Sequence, residues 1–317
     1  MIRRLALSLL PLASVAGAET IFVSDEASDC VQAIDGGTLK PIQCIKVGKR
    51  PRGLVASADG KRLYVAVGDD NRIAIVDTAA RKVVRSFATP DPETFALSPD
   101  EREIFIANED SSLMSRIRIA DGKVLREVQV GGEPEGTAIS PDGKLIVQAS
   151  ETGSMAHAID AATGEVKANL IVDTRPRYVA FTPDGSRFWV SSEVRGTVTV
   201  FDRASLKPLG KIDFERAGLT GNLIQAVGTR FTRDGRRAFV ALGRGKLVAE
   251  VDPASLKIVR TWPVGLRAWN LALSPDESRL YTADGLDGTM SVIDLKANTT
   301  LAPVKLGGKP WGVVSVP

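Results

Sequence analysis

Six charged or aromatic side chains occupy equivalent positions along the chain. Five lie at the same distance before a recurring turn motif, and the sixth lies at the matching place near the C-terminus. These residues are Arg52, Glu93, Glu135, Arg177, Trp269 and Trp311. All except Trp269 directly follow a proline, which fixes one backbone dihedral and so holds the next side chain in a defined direction. Arginine pairs with carboxylates, tryptophan packs against rings and cations, and glutamate binds cations or amines. These residues predict a polar ligand site if the fold brings them together. The alternative is a ring of mutual salt bridges that closes the site.

Histidine and cysteine are scarce in this chain. It has one histidine and two cysteines, which excludes a three-histidine zinc site and a four-cysteine cluster. Catalysis by a Ser-His-Asp or Cys-His arrangement would depend on His157 alone. The strand pattern places His157 inside a repeat unit and not in a loop, so we expect a hydrogen-bonded structural residue. The sequence predicts no metal site and no bound cofactor.

The elements that would position the six side chains come from an internal repeat. A turn motif recurs about every 42 residues, and a period of this length indicates a solenoid, a propeller or another repeat array. Within each unit, four short β-rich runs are separated by turn residues, which is the pattern of a propeller blade. The motifs are SADG at 57–60, SPDE at 98–101, SPDG at 140–143, TPDG at 182–185, TRDG at 232–235 and SPDE at 274–277.

Six complete units run from about Arg52 to about Leu306, and the two ends of the chain supply a seventh. Residues 20–47 match the second, third and fourth strands of a unit, and residues 310–316 match a first strand. The sequence therefore predicts an all-β, seven-bladed β-propeller with four antiparallel strands per blade, closed where the C-terminal strand joins the N-terminal blade. We expect residues 19–317 to form one propeller domain and the protein to be a monomer.

In a propeller, the loop before each innermost strand and the loop between the second and third strands lie on the same face. The six residues above would therefore surround one end of the central channel. The longer fifth unit places residues 214–227 over the same end, either as a capping loop that reaches a ligand through Asn222 and Gln225 or as a neutral surface insertion. We expect Arg177→Ala to weaken binding there with little effect on stability.

The other loops on this face are rich in acidic residues. They are interpreted either as solvated turns or as a docking surface for a basic partner. Their spacing does not resemble a calcium-binding loop. The residues are Asp25, Glu26, Asp69, Asp70, Asn108, Glu109, Asp110, Glu151, Glu193, Asp284 and Asp287.

The N-terminus has the pattern of a secretory signal peptide at residues 1–18. Arg3 and Arg4 precede an apolar run that ends before Ala16-Gly17-Ala18, an A-x-A cleavage site. The run is too short to span a bilayer, which takes about 20 residues. We expect a mature chain that begins near Glu19, is exported to the periplasm and has no membrane span.

The charge balance argues against nucleic acid as a partner. Lys plus Arg number 41 and Asp plus Glu number 38, for a formal net charge of +3, and removal of the signal peptide lowers that charge further. A chain so close to neutral lacks the basic surface that nucleic acids require. The one basic concentration, at residues 230–246, spans strands and turns that face different ways, so we expect a solvated face.

Cys30 and Cys44 lie on the predicted third and fourth strands of the closing blade, on either side of a turn near Gly37. We expect the two residues to face each other and form a disulfide, which an oxidising compartment preserves. Buried free thiols or a redox role are the alternatives. Closure of a loop of roughly 15 residues contributes about 3 kcal/mol in the chain-entropy model.

The segment VGKRPRGLVASADGKRLYVAVGDDNRIAIVD resembles the YVTN family of β-propeller repeats, and the units at 134–160 and 268–294 repeat it. With the signal peptide and the length, the chain is similar to the periplasmic β-propeller proteins associated with pyrroloquinoline-quinone-dependent alcohol catabolism. That resemblance implies a pathway and the partners found in it: a quinoprotein dehydrogenase, a c-type cytochrome or a transporter component. It supplies no catalytic residues to carry over.

Two classes of function remain open from the sequence. The first is a non-catalytic binding or assembly module that holds a protein partner or a small ligand at the channel end. The second is a propeller enzyme, a lactonase-like hydrolase or an oxidoreductase. Only the group of Arg52, Glu93, Glu135 and Arg177 could imitate a lactonase site, and it lacks a histidine.

Overall fold

Seven antiparallel sheets follow one another along the described chain, residues 19–215 and 223–317 of a computed structural model. The first complete blade contains β4 (Pro51–Ala56), β5 (Arg62–Val67), β6 (Arg72–Asp77) and β7 (Lys82–Ala88). The second contains β8 (Pro92–Leu97), β9 (Glu103–Asn108), β10 (Leu113–Arg118) and β11 (Lys123–Gln129). The third contains β12 (Pro134–Ile139), β13 (Leu145–Ser150), β14 (Met155–Asp160) and β15 (Val166–Ile171). The fourth contains β16 (Pro176–Phe181), β17 (Arg187–Ser192), β18 (Thr197–Asp202) and β19 (Pro208–Asp213). The fifth contains β20 (Thr229–Phe231), β21 (Ala238–Ala241), β22 (Leu247–Asp252) and β23 (Lys257–Pro263). The sixth contains β24 (Ala268–Leu273), β25 (Arg279–Asp284), β26 (Thr289–Asp294), β27 (Thr299–Thr300) and β28 (Val304–Lys305). We number these blades 1 to 6.

Blade 7 joins the two ends of the chain, as the repeat predicts. It contains β29 (Pro310–Val316), β1 (Thr20–Asp25), β2 (Cys30–Asp35) and β3 (Pro41–Lys46), in that order. The C-terminal strand β29 pairs antiparallel with β1. The seven-bladed fold and its closure by the C-terminal strand are therefore confirmed.

Buried apolar residues form one cluster at each junction between neighbouring blades. In the described residues there are seven such clusters. One cluster packs Phe22 of β1 against Leu63 of β5 and so joins blade 7 to blade 1. Another packs Val23 of β1 against Tyr281 of β25 and joins blade 6 to blade 7. Every blade thus buries both faces, and the packing closes the ring.

The repeated turn motif works by side-chain hydrogen bonding. In blade 1, Ser57 Oγ donates to Asp59 Oδ1 at 2.7 Å, and Gly60 takes the left-handed conformation with φ of 68°. The same hydroxyl-to-carboxylate bond recurs as Thr232 to Asp234 in blade 5, at 2.6 Å. A glycine suits the last position because it adopts a positive φ without steric cost. These turns lie on the face opposite the six predicted site residues.

The predicted disulfide between Cys30 and Cys44 is present, with 5.6 Å between the two Cα atoms. The two residues are not directly opposite, as a hairpin centred at Gly37 would require. Cys44 pairs with Gln32 and Cys30 pairs with Lys46, because an irregularity between Ala33 and Ile34 shifts the register. The disulfide is therefore a diagonal link between the last two strands of blade 7.

Little of the described chain is helical. Its one short helical turn, Glu26–Ser28, lies between β1 and β2. No helix within the described ranges has the length and apolar character needed to cross a membrane. The predicted signal peptide, residues 1–18, lies outside the described residues.

Candidate functional site

The innermost strands begin at one end of the channel, which we call the mouth, and the six predicted residues meet there in three pairs. Arg52 contacts Glu93 at 2.6 Å between blades 1 and 2. Arg177 forms an ion pair with Glu135 between blades 3 and 4. The rings of Trp269 and Trp311 lie 6.0 Å apart between blades 6 and 7. The fold thus brings together the residues that the repeat singled out.

Arg177 is the centre of a buried ion-pair network. Its Nη1 contacts Glu135 and Glu151, and its Nε donates to Glu193 Oε2 at 2.6 Å. The arginine side chain is 8% exposed and none of the three carboxylates exceeds 3%. The expectation that Arg177 could be replaced with little effect on stability is therefore wrong, since its removal leaves buried carboxylates without their shared cation.

A second network surrounds the fully buried Glu93. Its Oε1 accepts hydrogen bonds from Arg52 Nη1 at 2.6 Å and from Arg50 Nη2. Arg52 Nε in turn donates to Glu26. Arg50 also reaches Asp91 at 3.0 Å and Glu109 at 3.2 Å. The mutual pairing that the sequence left as the alternative thus accounts for most of the charged mouth residues.

Three arginines that the sequence analysis missed lie beside these residues. Arg50, Arg175 and Arg267 each stand two positions before a mouth residue, and each has a left-handed backbone with φ of 56°, 64° and 66°. Such a conformation costs a non-glycine residue about 1–2 kcal/mol, and here it turns the side chain over the mouth. Arg267 pairs with Glu193 at 2.6 Å and lies 3.8 Å from the ring centre of Trp269. The equal spacing from Arg52, Arg177 and Trp269 is the signal that could have found them.

Most of the acidic loop residues do not form a solvated surface. Glu151 and Glu193 are buried, and Glu109 is half-buried against the Glu93 network. The cause is strand register: Pro134 pairs with Ser150 and Pro176 with Ser192, so the next residue of the second strand lies beside the mouth. Asp25, Asn108 and Asp284 are buried as well. The acidic loop residues that stay exposed are Asp69, Asp70, Asp110 and Asp287.

Burial raises the pKa of two carboxyl groups in the mouth. Burial, and then the charge of Glu135, raise the pKa of Glu151 to about 8 against the opposing charge of Arg177. Burial and Glu135 also raise the pKa of Glu93 well above its usual value, and a hydrogen bond with Glu109 raises it further. By contrast, Arg177 and Arg267 outweigh burial and lower the pKa of Glu193.

The two tryptophans form one aromatic wall. Their rings are inclined by 30°, and three arginines approach them. Arg177 lies 5.2 Å from the ring centre of Trp269, and Arg52 lies 5.9 Å from that of Trp311. Trp311 is buried, whereas Trp269 is half-buried and lines an open pocket.

The pocket beside Trp269, which we call the mouth pocket, has a volume of about 380 Å³. Gln225 forms part of its wall and donates from Nε2 to Glu193 at 3.1 Å. Asn222, the other residue predicted on the capping loop, lies outside the described residues. The charged side chains that line the pocket are Glu26, Arg175, Glu193, Arg244, Arg267 and Lys309.

Positive charge prevails in the mouth pocket. Arg175 and Arg267 are paired with glutamates. Arg244 and Lys309 are exposed, and no carboxylate of the described chain lies within 4.0 Å of either cation. The exposed side chains of Leu223 and Leu286 stand at the rim. An anionic group with an apolar portion therefore matches this pocket.

Three carboxylates near blade 2 are close enough to hold a metal ion. Oxygen atoms of Asp91, Glu93 and Glu109 lie within 4.8 Å of one another. Arg50 Nη2 contacts all three, so a guanidinium occupies the place where a cation would bind. This arrangement fits an internal ion-pair cluster better than a metal centre.

His157 lies on β14, away from the mouth. Its Nε2 accepts from Gly131 N at 2.9 Å, and its Nδ1 lies 2.7 Å from Asn169 Oδ1. With Nε2 as the acceptor, Nδ1 carries the proton and donates to the asparagine. Both ring nitrogens are thus used within the blade.

No protein-family model and no curated protein matches the chain, whereas many solved structures share its fold. Hydrazine synthase from Kuenenia stuttgartiensis is 21% identical with a TM-score of 0.76, over 87% of this chain and 92% of that one. The periplasmic gluconolactonase PpgL of Pseudomonas aeruginosa is 21% identical with a TM-score of 0.79, over 95% and 99%. A putative 6-phosphogluconolactonase from Bacteroides fragilis is 18% identical with a TM-score of 0.77, over 97% and 100%. At these identities the likeness shows the seven-bladed propeller fold, and the function has to be argued from the site.

Proposed function

We propose that this protein is a non-catalytic binding propeller of the periplasm that holds an anionic group in its mouth pocket. The observation that carries the proposal is the pair of exposed cations, Arg244 and Lys309, beside the half-buried ring of Trp269. A carboxylate can pair with the cations while an apolar portion packs on the ring. The disulfide supports an oxidising compartment.

The pathway assignment follows from the resemblance stated above. A role in pyrroloquinoline-quinone-dependent alcohol catabolism supplies two kinds of anionic ligand: the quinone cofactor, which carries carboxylates, and the organic acids that alcohol oxidation produces. A quinoprotein dehydrogenase, a c-type cytochrome or a transporter component can present an acidic side chain to the same pocket. A basic partner would instead meet the exposed acidic loops of blades 1 and 2.

Titration of the purified protein tests the proposal. Pyrroloquinoline quinone, acetate and gluconate are titrated against wild type and against the double variant Arg244→Met, Lys309→Met, with tryptophan fluorescence and calorimetry as readouts. We expect the double variant to bind the tightest of these ligands at least tenfold more weakly, and added salt to weaken binding to wild type. Arg236→Met, which removes an exposed cation at an opposite-face turn, is the control. Equal affinity in wild type and the double variant contradicts the proposal.

A lactonase-like hydrolase is the second candidate. The observation in its favour is the close group of Asp91, Glu93 and Glu109, which could accept a divalent ion if Arg50 moved away. Hydrolysis of gluconolactone is measured with added Ca²⁺, Mg²⁺, Mn²⁺ or Zn²⁺, in wild type and in Glu93→Gln. Metal-dependent turnover that the substitution abolishes would favour this candidate over the binding module.

A further inference from the structure

The central channel widens below the mouth into a chamber of about 760 Å³. All seven innermost strands contribute to its wall, which extends to the turn motifs on the opposite face. Much of the wall is apolar, from residues such as Leu54, Phe95, Ile139 and Phe181. The chamber is therefore separate from the mouth pocket and differs from it in character.

One blade breaks the repeat inside this chamber. The position equivalent to the mouth residues in blade 5 is Val227. Three residues after this position, the side chain is small and apolar in six blades and is arginine in blade 5. Blade 5 also has the largest departure in repeat length, so its inner strand is not a copy of its neighbours. The residues at this position are Val55, Ala96, Ala138, Ala180, Arg230, Ala272 and Val314.

A second exception lies beside the first. The residue directly after the mouth residue is small or of medium size in six blades, and in blade 4 it is Tyr178. Tyr178 and Arg230 come from neighbouring blades and contact each other: Arg230 Nη1 donates to Tyr178 Oη at 2.5 Å, and the guanidinium lies 5.6 Å from the ring centre. Arg230 Nε donates to Leu271 O at 2.7 Å. The arginine is thus held in one orientation along the chamber wall.

The charge of Arg230 is not neutralised by the protein. No carboxylate of residues 19–215 and 223–317 lies within 4.0 Å of its guanidinium, and its Nη2 has no hydrogen bond to a described residue. Thr229, the adjacent wall residue, has a buried hydroxyl without a hydrogen-bond partner. A half-buried cation with free donor capacity, in an apolar chamber, is the complement of a carboxylate with an apolar body.

We propose that the chamber is a second binding site, which takes a small carboxylate with an apolar body. Arg230 pairs with the carboxylate through Nη2, Tyr178 holds the guanidinium in place, and the apolar wall covers the body of the ligand. This site is entered from the face of the turn motifs and is independent of the mouth pocket.

Benzoate is the probe, with benzyl alcohol as its neutral counterpart and acetate as the carboxylate without an apolar body. Binding is measured by calorimetry and by saturation-transfer NMR on wild type, Arg230→Met and Arg230→Lys. We expect wild type to prefer benzoate over both counterparts by roughly tenfold or more, and Arg230→Met to lose the preference over benzyl alcohol. Arg230→Lys keeps the positive charge and should retain part of the preference for benzoate. Tyr178→Phe weakens benzoate binding less than Arg230→Met, because only the support of the guanidinium is lost.

Two controls separate this site from others. Arg236→Met removes an exposed cation outside the chamber and leaves benzoate affinity unchanged. The comparison of Arg230 with Arg230→Met is repeated in the double variant Arg244→Met, Lys309→Met, so that benzoate bound at the mouth pocket does not contribute. Thermal melts identify any variant that does not fold, and if Arg230→Met is such a variant, Tyr178→Phe and Arg230→Lys carry the comparison. Equal benzoate affinity in wild type and the folded chamber variants overturns the proposal. So does equal affinity of wild type for benzoate and benzyl alcohol, or an absence of saturable benzoate binding.

Discussion

Replacement of Arg177 by methionine is expected to destabilise the propeller strongly. Three buried glutamates share this arginine, and removal of one partner from a buried ion pair costs about 3–5 kcal/mol. Glu151 keeps Arg175 at 2.6 Å and Glu193 keeps Arg267 at 2.6 Å. The loss of stability is therefore the cost of one uncompensated carboxylate and not of three. Protonation of that carboxylate reduces the loss further. We expect a decrease of about 3 kcal/mol in the free energy of unfolding at pH 7.

Chemical denaturation at pH 7 and pH 5 measures this decrease. Arg195→Met is the matched control: that arginine also contacts two acidic residues, at 3.5 and 3.3 Å, but its side chain is 44% exposed, and exposed pairs contribute about 0–1 kcal/mol. The Arg177 variant should lose less stability at pH 5, where carboxylates take up protons more readily. A loss at pH 7 no larger than that of the Arg195 variant would refute the assignment of Arg177 as the centre of the network.

A double variant isolates the cause. Glu135 has no ion pair other than the one with Arg177 among the described residues. Glu135→Gln should therefore restore part of the stability that Arg177→Met removes, by about 1–2 kcal/mol, although Glu135→Gln alone removes a buried pair. Additive losses in the double variant would show that packing of the long side chain, and not charge, explains the effect.

Three further outcomes follow from the fold and the mouth. The pKa of Glu151 is raised from 4.5 to about 8 in the folded state, so between these pH values the folded state holds a proton that the unfolded state has lost. The stability contributed by this group therefore falls as pH rises from 4.5 to about 8. Glu151→Gln should reduce this dependence of stability on pH in melts at pH 5 and pH 8, and an unchanged dependence contradicts the pKa shift. Deletion of residues 310–317 removes β29 and should abolish cooperative unfolding, so a truncated chain that melts like the full one argues against closure by that strand. The double variant Cys30→Ser, Cys44→Ser should lose about 3 kcal/mol, and equal denaturation midpoints would show that the disulfide adds nothing.

The sequence predicts the fold and the composition of the mouth because both follow from the repeat. The turn motifs fix the blade period, and the residue after each strand-initial proline falls at the same place in every blade. Convergence of Arg52, Glu93 and Trp311 at one end of the channel is therefore a matter of register. The closing strand follows from the same alignment, since residues 310–316 complete the first strand that residues 20–47 lack.

Burial and pairing at the mouth do not follow from the repeat. Glu151 and Glu193 look like loop residues, yet strand register places them beside the channel, and that register depends on irregularities in the inner strand pairs. The left-handed backbone of Arg50, Arg175 and Arg267 is a local conformation that residue type alone does not indicate, since such conformations favour glycine and asparagine. Sequence reasoning therefore identified residues that converge at the mouth and left open which of their charges are paired.

A ring of identical blades can only build a symmetric channel, so a specific site requires positions at which one blade departs from the others. The mouth residues differ in nearly every blade, but most of their charges are paired with one another, and the unpaired cations lie at the rim. In the chamber, Tyr178 and Arg230 depart from the repeat and form a pair with one unneutralised charge. Charged residues that break the repeat and have no ion-pair partner within the described chain are the ones available to a ligand. By this criterion Arg244 and Lys309 at the mouth and Arg230 in the chamber are the residues on which binding experiments should concentrate.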